Sequence, residues 1–264
     1  MSLADRRGPW GARPYGRPIR VGEHTAYLES SPKHVRVEVA GTTLADSRRP
    51  SLLHQPGVPA AWLFPREDVH TELFADAGER ERHPVFGTVE VLDLHVGDRR
   101  EPAFATRHPD IPEMRDLIGL DWRRIDRLYE EDELVGREAI DPYHRIDVRD
   151  SSRQVRISLD GAVLAESSTP RLLFETTARP RFYLAAEELR TELLEPSTLR
   201  TSCQYKGEAE YFHVRVGDRL HEDLVWRYPT PREDGRRIAG RYSLHHERCR
   251  TEVDGQLLGD GGTP

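Results

Sequence analysis

One short segment of the chain carries a thiol and an amine at a spacing that could support chemistry. Cys203 and Lys206 stand three residues apart in Cys203-Gln204-Tyr205-Lys206-Gly207. A nearby ammonium lowers the pKa of a thiol, and the thiolate is the nucleophile in acyl transfer and redox reactions. Lys206 could instead be the nucleophile or bind an anionic substrate. The segment predicts Cys203 and Lys206 as catalytic residues, with a buried thiol and a surface charge as the structural alternative.

Lys206 is one of only two lysines in the chain. The 39 basic residues comprise 37 Arg and two Lys, Lys33 and Lys206. Arg cannot replace Lys where a compact amine is needed, because guanidinium is planar, bulky and always protonated. The retention of Lys206 beside a thiol favours a functional role. Lys33, between Pro32 and His34, is typical of an exposed turn.

Aromatic and acidic residues accompany the motif in the carboxyl half of the sequence. Pockets for flat organic molecules combine aromatic walls with a few polar groups, although aromatic residues also fill cores. His144 could be a base that reaches the motif, whereas His24 at the equivalent position of the amino half favours a shared structural hydrogen bond. The predicted ligand-binding residues are Tyr205, Glu210, Tyr211, Trp226, Tyr228 and His144.

A second group of reactive side chains, His245-His246-Glu247-Arg248-Cys249, places imidazoles, a carboxylate and a thiol together. Alternate side chains of a strand point to opposite faces, and a structural zinc site needs two more ligands than one face of this segment supplies. We therefore expect structural or surface roles here and predict no metal site. The sequence indicates no particular cofactor.

Composition excludes several classes of protein. The 264 residues carry a net charge of −7 without a basic stripe, so we predict no nucleic-acid partner. No run approaches 18 apolar residues, and the first thirty residues lack the apolar segment of a signal peptide. Two cysteines are too few for a disulfide framework. These features predict a cytoplasmic protein without a membrane partner.

An internal repeat must position the motif. Residues 35–74 match residues 155–194 without a gap at an offset of 120, and the same offset pairs Val96-Gly97-Asp98-Arg99 with Val216-Gly217-Asp218-Arg219. It also pairs Ile118 with Ile238 and Trp122 with Tyr242. A duplication predicts two homologous domains packed as an internal pseudo-dimer rather than a solenoid, which needs at least three repeats.

Each copy has the pattern of a mainly β domain. Valines alternate with polar residues from Val35 to Val39, and Asp160-Gly161 is a strong hairpin signal in the second copy. Short helices are predicted at 65–74 and 185–194. The predicted boundaries are an arginine-rich arm at 1–23, the amino-terminal repeat at 24–127, an acidic linker at 128–143, the carboxyl-terminal repeat at 144–258 and a flexible tail at 259–264.

The two copies differ most at the motif. The amino copy has His83-Pro84-Val85-Phe86-Gly87 where the carboxyl copy has the thiol and the amine. Positions that differ in polarity between copies are candidates for a site, while shared positions serve the fold. The amino copy is therefore predicted to be a degenerate, structural half, in which changes at Val85 or Phe86 affect folding more than activity.

Several stretches of the carboxyl copy resemble the family called domain of unknown function 427. They include Arg181-Phe182-Tyr183-Leu184, the motif at 203–207 and Trp226-Arg227-Tyr228-Pro229. The family motif is Cys-Pro-Tyr-Lys-Gly, from which Gln204 departs. The whole chain resembles the tandem form of high-GC bacteria, and the resemblance implies two small β-tent-like domains. Some classifications label the family nucleotidyltransferase-like, but this chain lacks the Gly-Ser plus paired-aspartate signature of such enzymes.

Three functional hypotheses follow. The first is a single small-molecule site in the carboxyl copy, for an organic or anionic ligand, in which Cys203 and Lys206 act on or hold the ligand; whether it is catalytic stays open. The second is a noncatalytic binding or scaffold module, and the third is nucleotidyl transfer. Under the first, Lys206→Ala is expected to abolish binding while barely changing stability.

Overall fold

The computed structural model describes residues 17–21, 24–55, 58–83, 86–176 and 178–258. The chain divides into two compact units at Tyr143 and His144. Both units consist almost entirely of antiparallel strands, joined by hairpins and short 3-10 turns. The predicted mainly β, two-domain organisation is confirmed. The predicted tail lies outside the described residues.

The N-terminal unit contains twelve described strands in two sheets. The larger sheet has the order β1-β2-β5-β6-β10-β9-β8-β7, and the smaller has β12-β11-β3-β4. Their bounds are β1 Arg17–Val21, β2 His24–Ser30, β3 Val35–Val39, β4 Thr42–Ser47, β5 Ser51–Gln55, β6 Val58–Pro65, β7 Phe74–His83, β8 Gly87–Val96, β9 Arg99–Arg107, β10 Leu117–Leu120, β11 Arg127–Glu130 and β12 Glu133–Val135.

The C-terminal unit has eleven described strands in a similar order, but the strands that correspond to the large sheet form two sheets. Its bounds are β13 Ile146–Asp150, β14 Val155–Leu159, β15 Ala162–Ser167, β16 Arg171–Glu175, β17 Arg181–Tyr183, β18 Leu194–Cys203, β19 Gly207–Val216, β20 Arg219–Arg227, β21 Tyr242–Leu244, β22 Arg250–Val253 and β23 Gln256–Leu257. The sheets β13-β16-β17 and β18-β19-β20-β21 meet at a single bridge between Leu184 and Tyr242. The third sheet has the order β15-β14-β22-β23.

Period-two patterning gives the main sheet of each unit two different faces, because neighbouring side chains on a strand point in opposite directions. In the C-terminal unit Leu172 and Phe182 join the core against the smaller sheet. Their neighbours Leu173 and Tyr183 belong to a separate cluster on the other face. This second face carries the candidate site.

The structure corrects the predicted arm and linker. Residues 17–21, assigned to the arm, form strand β1 at the edge of the large sheet. The acidic run begins in β11, which pairs with β3, and continues in β12. Glu130 is buried and forms an ion pair with Lys33. The acidic residues therefore complete a sheet rather than connect the units, and Lys33 is not an ordinary exposed turn residue.

The predicted short helices are also corrected. Each is a pair of single 3-10 turns, Arg66–Asp68 with Thr71–Leu73 and Ala186–Glu188 with Thr191–Leu193. The residues between the turns, Val69 and Leu189, are extended and bridge to Ala45 and Ala165. Pairing with a strand interrupts the helical hydrogen bonds. The remaining 3-10 helices described are Glu233–Ile238 and His246–Arg248.

Strand register also corrects the alignment of the two copies near their ends. Arg107 pairs with Ile118, and its equivalent Arg227 pairs with Tyr242. Ile118 therefore corresponds to Tyr242, at an offset of 124, and not to Ile238. The C-terminal unit has four extra residues between β20 and β21, in the segment that contains the 3-10 helix Glu233–Ile238.

Candidate functional site

The predicted motif forms the turn of a hairpin. Cys203 pairs with Gly207 across β18 and β19, which leaves Gln204, Tyr205 and Lys206 in the turn. Gly207 has a φ of +98°, and a Cβ there would lie 3.1 Å from the carbonyl oxygen of Thr230. Glycine permits both this conformation and this close approach. The Arg232 amide donates to the Lys206 carbonyl at 3.1 Å. The longer connection between β20 and β21 therefore contacts the turn directly.

Lys206 forms an ion pair with Glu175 at the end of β16. Their side chains are only 11% and 10% exposed. The other carboxylate oxygen of Glu175 lies 3.1 Å from His144 Nε2. The His144 ring stacks on Tyr205, with centroids 3.7 Å apart and planes 10° apart. The Glu175 carboxylate therefore contacts the Lys206 ammonium through one oxygen and the His144 ring through the other.

A pocket of about 170 Å³ opens beside this ion pair. It lies entirely within the C-terminal unit. Its polar lining residues are Glu175, Arg179, Arg181, Lys206 and His245, and its aromatic lining residues are Tyr183, Tyr211, Trp226 and Tyr228. Lys206 is paired with Glu175 and Arg181 with Glu247, so the net positive charge of the pocket comes from Arg179. Arg179 is exposed and has no carboxylate partner among the described residues.

The aromatic wall is fixed by strand pairing and hydrogen bonds. Tyr211 and Trp226 are directly opposite each other on β19 and β20. Trp226 Nε1 donates to the Tyr183 hydroxyl at 3.4 Å, and the Tyr211 hydroxyl lies 3.1 Å from Thr201 Oγ1. Burial raises the pKa of both Tyr183 and Tyr228, which keeps these phenols neutral. The Lys206 ammonium lies 5.9 Å from the Tyr228 ring centroid.

A charged cluster borders the other side of the pocket. Arg181 donates two hydrogen bonds to Glu247, and its guanidinium lies over the Trp226 ring at 5.5 Å. Burial alone would raise the pKa of Glu247, but the contacts with Arg181, a hydrogen bond from the Glu247 amide and the contact with His245 together lower the pKa to about 2. His245 Nδ1 lies 3.3 Å from Glu247 Oε1. Burial lowers the pKa of His245 and of His246.

The structure brings only some of the predicted site residues together at the pocket. Lys206, Tyr211, Trp226 and Tyr228 line it. His144 and Tyr205 lie behind the ion pair and do not belong to the lining. The side chain of Cys203 packs at the edge of the apolar cluster and makes no hydrogen bond within the described part of the chain.

Glu210 belongs to a pair that both units share. It forms an ion pair with Arg227 at 3.1 Å, and Glu90 forms the same pair with Arg107 at 2.9 Å. A contact present in both copies serves the fold. The geometry therefore places Glu210 outside the candidate site.

Sequence reasoning missed Glu175, Arg179, Arg181 and Tyr183, and it gave His245 a structural or surface role. The first four could have been found from the repeat, because at an offset of 120 they face Gln55, Pro59, Ala61 and Leu63. The repeat could not reveal His245, because the four extra residues displace its alignment. The His245 and Asp121 amides donate to the equivalent carbonyls of Leu224 and Phe104, so these two residues correspond.

Apolar side chains pack against one another at the equivalent face of the N-terminal unit. Phe86 occupies the place of Lys206 and is only 2% exposed. It packs in a buried cluster whose other members are Ala26, Leu28, Leu53, Leu63 and Met114. The two copies therefore differ at this face: apolar side chains and the buried His108 ring pack around Phe86 in one, and a pocket lies beside Lys206 in the other.

A family comparison agrees with this repeat. The family model described as "Domain of unknown function (DUF427)" matches residues 27–131 and 147–255, once in each unit. The chain belongs to this family. Its two DUF427 domains form a tandem, as the motif resemblance implied. A search of curated proteins finds no match.

Two features are absent from the described part of these DUF427 domains. No described helix has the length and apolar composition needed to span a bilayer. Within the same residues, no group of three or more His, Cys, Asp or Glu side chains could hold a metal ion.

Proposed function

We propose that the C-terminal unit binds a small organic anion in the pocket beside Lys206. The observation that carries this proposal is the contrast with the N-terminal unit, where Phe86 and its apolar neighbours occupy the same face. Keeping Lys206 and Glu175 largely buried costs desolvation energy, which the apolar cluster around Phe86 avoids at the equivalent face of the N-terminal unit.

The chemistry of the lining defines the ligand class. Arg179, which has no carboxylate partner among the described residues, and the Lys206 ammonium attract an anionic group. The half-buried Tyr211 offers an aromatic ring to the ligand, and the buried Trp226 lies beside that ring. The volume of about 170 Å³ is below the roughly 300–1,000 Å³ of pockets for drug-sized ligands. These features favour a carboxylate or phosphate ester about the size of one aromatic ring.

Isothermal titration calorimetry with benzoate, phenyl phosphate, phenylpyruvate and neutral benzamide tests the proposal. We expect at least one of the anions to bind, and benzamide to bind at least tenfold more weakly than that anion. The double variant Lys206→Met/Glu175→Gln removes the ammonium without leaving a buried carboxylate unpaired, and it should weaken anion binding at least tenfold.

Lys33→Met is the matched control, because Lys33 also forms an ion pair with a buried glutamate but belongs to the other unit. It should leave the anion affinity unchanged. Failure of all three anions to bind, or equal affinity for benzamide, would refute the proposed function.

A further inference from the structure

The pocket contains an acid–base arrangement in addition to its cations. We propose that the C-terminal unit catalyses proton transfer on a small 2-oxo acid, with His245 as the general base and Lys206 as the cation beside the developing oxyanion. This inference rests on the proposed function, since the 2-oxo acid is the organic anion that the pocket would bind.

His245 has the geometry of an oriented base. Its ring lines the pocket and lies 4.7 Å from the Trp226 ring centroid. Its Nδ1 is 3.3 Å from Glu247 Oε1, and a carboxylate can only accept a hydrogen bond. The neutral ring therefore carries its proton on Nδ1 and a lone pair on Nε2. Burial lowers the pKa of His245, so the ring is neutral near pH 7.

Glu247 and Arg181 are positioning residues for this base. Arg181 binds both carboxylate oxygens of Glu247, at 2.5 and 3.0 Å. A bidentate contact fixes the plane of the carboxylate and thereby the ring that donates to it. Arg181 also lies over the Trp226 ring, so the same guanidinium contacts both Glu247 and the aromatic wall.

A 2-oxo acid fits each part of this lining. Its carboxylate is attracted by Arg179 at the exposed edge of the pocket. His245 Nε2 takes a proton from the carbon next to the ketone. The electron pair of the broken C–H bond forms the C=C bond of an enolate, and the carbonyl π pair moves to oxygen, where the Lys206 ammonium stabilises it. The imidazolium then returns the proton to oxygen or carbon, so the reaction needs no co-reactant.

The N-terminal unit lacks every part of this device. The equivalents of His245 and Glu247 are Asp121 and Arg123, and Lys206 is replaced by Phe86. Duplication has therefore left the base, its positioning carboxylate and the cation together in one copy only. Side chains that served only the fold would be expected in both copies.

Exchange of the C3 protons of phenylpyruvate with D₂O, followed by ¹H NMR, tests the inference. We expect the protein to accelerate exchange above the buffer rate. His245→Gln should lower the protein-dependent rate about 100-fold or more, the usual range for loss of a general base, while Kd for phenylpyruvate changes less than threefold. His221→Gln is the matched control, because His221 also pairs with a carboxylate, Asp160, at 3.2 Å but lies outside the pocket lining.

Glu247→Gln distinguishes positioning from a structural role. His245 is next to Glu247, Arg181, Arg248 and His246, and it shares the pocket lining with Glu175, Arg179 and Lys206. Among the groups that shift the pKa of His245, only Glu247 raises it. The variant should therefore move the midpoint of the pH–rate profile to lower pH while binding persists. An unchanged midpoint would contradict the assigned role of Glu247.

The possible outcomes separate the two proposals. If phenylpyruvate binds but exchanges no faster than in buffer, or equally fast with His245→Gln, the catalytic inference is overturned and the binding proposal stands. If benzoate or phenyl phosphate binds but phenylpyruvate does not, the 2-oxo acid class is wrong. If none of the anions binds, both proposals fail.

Discussion

Glu247 accepts two hydrogen bonds from Arg181, from Nη1 to Oε2 at 2.5 Å and from Nη2 to Oε1 at 3.0 Å. This contact joins β17 to the turn that follows β21. One described bridge connects this part of the sheet, in which Leu184 and Tyr242 exchange two backbone hydrogen bonds of 2.8 and 2.9 Å. The ion pair thus supports the sheet at the place where the pocket opens.

The first prediction concerns the stability of the fold at acidic pH. The pKa of Glu247 falls from an ordinary 4.5 to about 2 in the folded protein. A carboxylate with a lowered folded pKa stabilises the fold above its unfolded pKa, and this contribution disappears as the pH falls from about 4.5 towards 2. Urea unfolding at pH 6 and pH 3 should therefore show a larger loss of stability for the wild type than for Glu247→Gln.

Glu166→Gln controls for general acid effects, because Glu166 is 60% exposed and pairs with an exposed Arg156. Glu166→Gln should lose as much stability between pH 6 and pH 3 as the wild type does. Identical pH dependence of Glu247→Gln and wild type would show that the pair contributes nothing to stability.

The second prediction separates the structural and binding roles of Lys206. Replacing Lys206 with Met leaves Glu175 largely buried without its cation, which should lower the free energy of unfolding by about 1–3 kcal/mol. This revises the expectation that Lys206 barely affects stability. The additional change Glu175→Gln should restore most of the loss without restoring anion binding. Chemical denaturation of the single and double variants measures the effect, and a double variant less stable than Lys206→Met would be incompatible with it.

The third prediction concerns the two thiols. Burial raises the pKa of Cys249 to about 12, so its thiolate is scarce at neutral pH. Iodoacetamide should leave Cys249 unmodified in the folded protein at pH 8 and modify it in urea, as read by peptide mass spectrometry. Rapid native modification of Cys249 would contradict its burial. The same spectra give the rate at Cys203 and so test the nucleophile hypothesis for that residue.

The fourth prediction concerns the N-terminal unit. Phe86→Ala should cost about 3–5 kcal/mol of stability, because it opens a cavity in a packed apolar cluster. Anion binding in the other unit should persist where the variant is folded. Thermal unfolding and calorimetry measure the two properties. A stable Phe86→Ala protein that had lost anion binding would contradict a purely structural role for the N-terminal unit. Val85, for which the sequence predicts a similar effect, lies outside the described residues.

The repeat could be read from the sequence because its signals are local. Alternation from Val35 to Val39 and the turn at Asp160-Gly161 depend on neighbours within a few residues. The difference between Phe86 and Lys206 also appears in the sequence once the copies are aligned. These features predicted the strands, the two units and four of the pocket-lining residues.

The assembly of the site was decided by tertiary structure. Glu175 is 31 positions from Lys206, and only the pairing of distant strands brings its carboxylate to the ammonium. In the N-terminal unit, the pairing of β11 with β3 gives the acidic run a place in a sheet, although composition alone indicates a solvated linker. The four extra residues between β20 and β21 lie in the connection and leave the pairing of the two strands unchanged. This register brings His245 to the pocket. Sequence patterns report the face on which a side chain lies, whereas long-range register determines which side chains meet there.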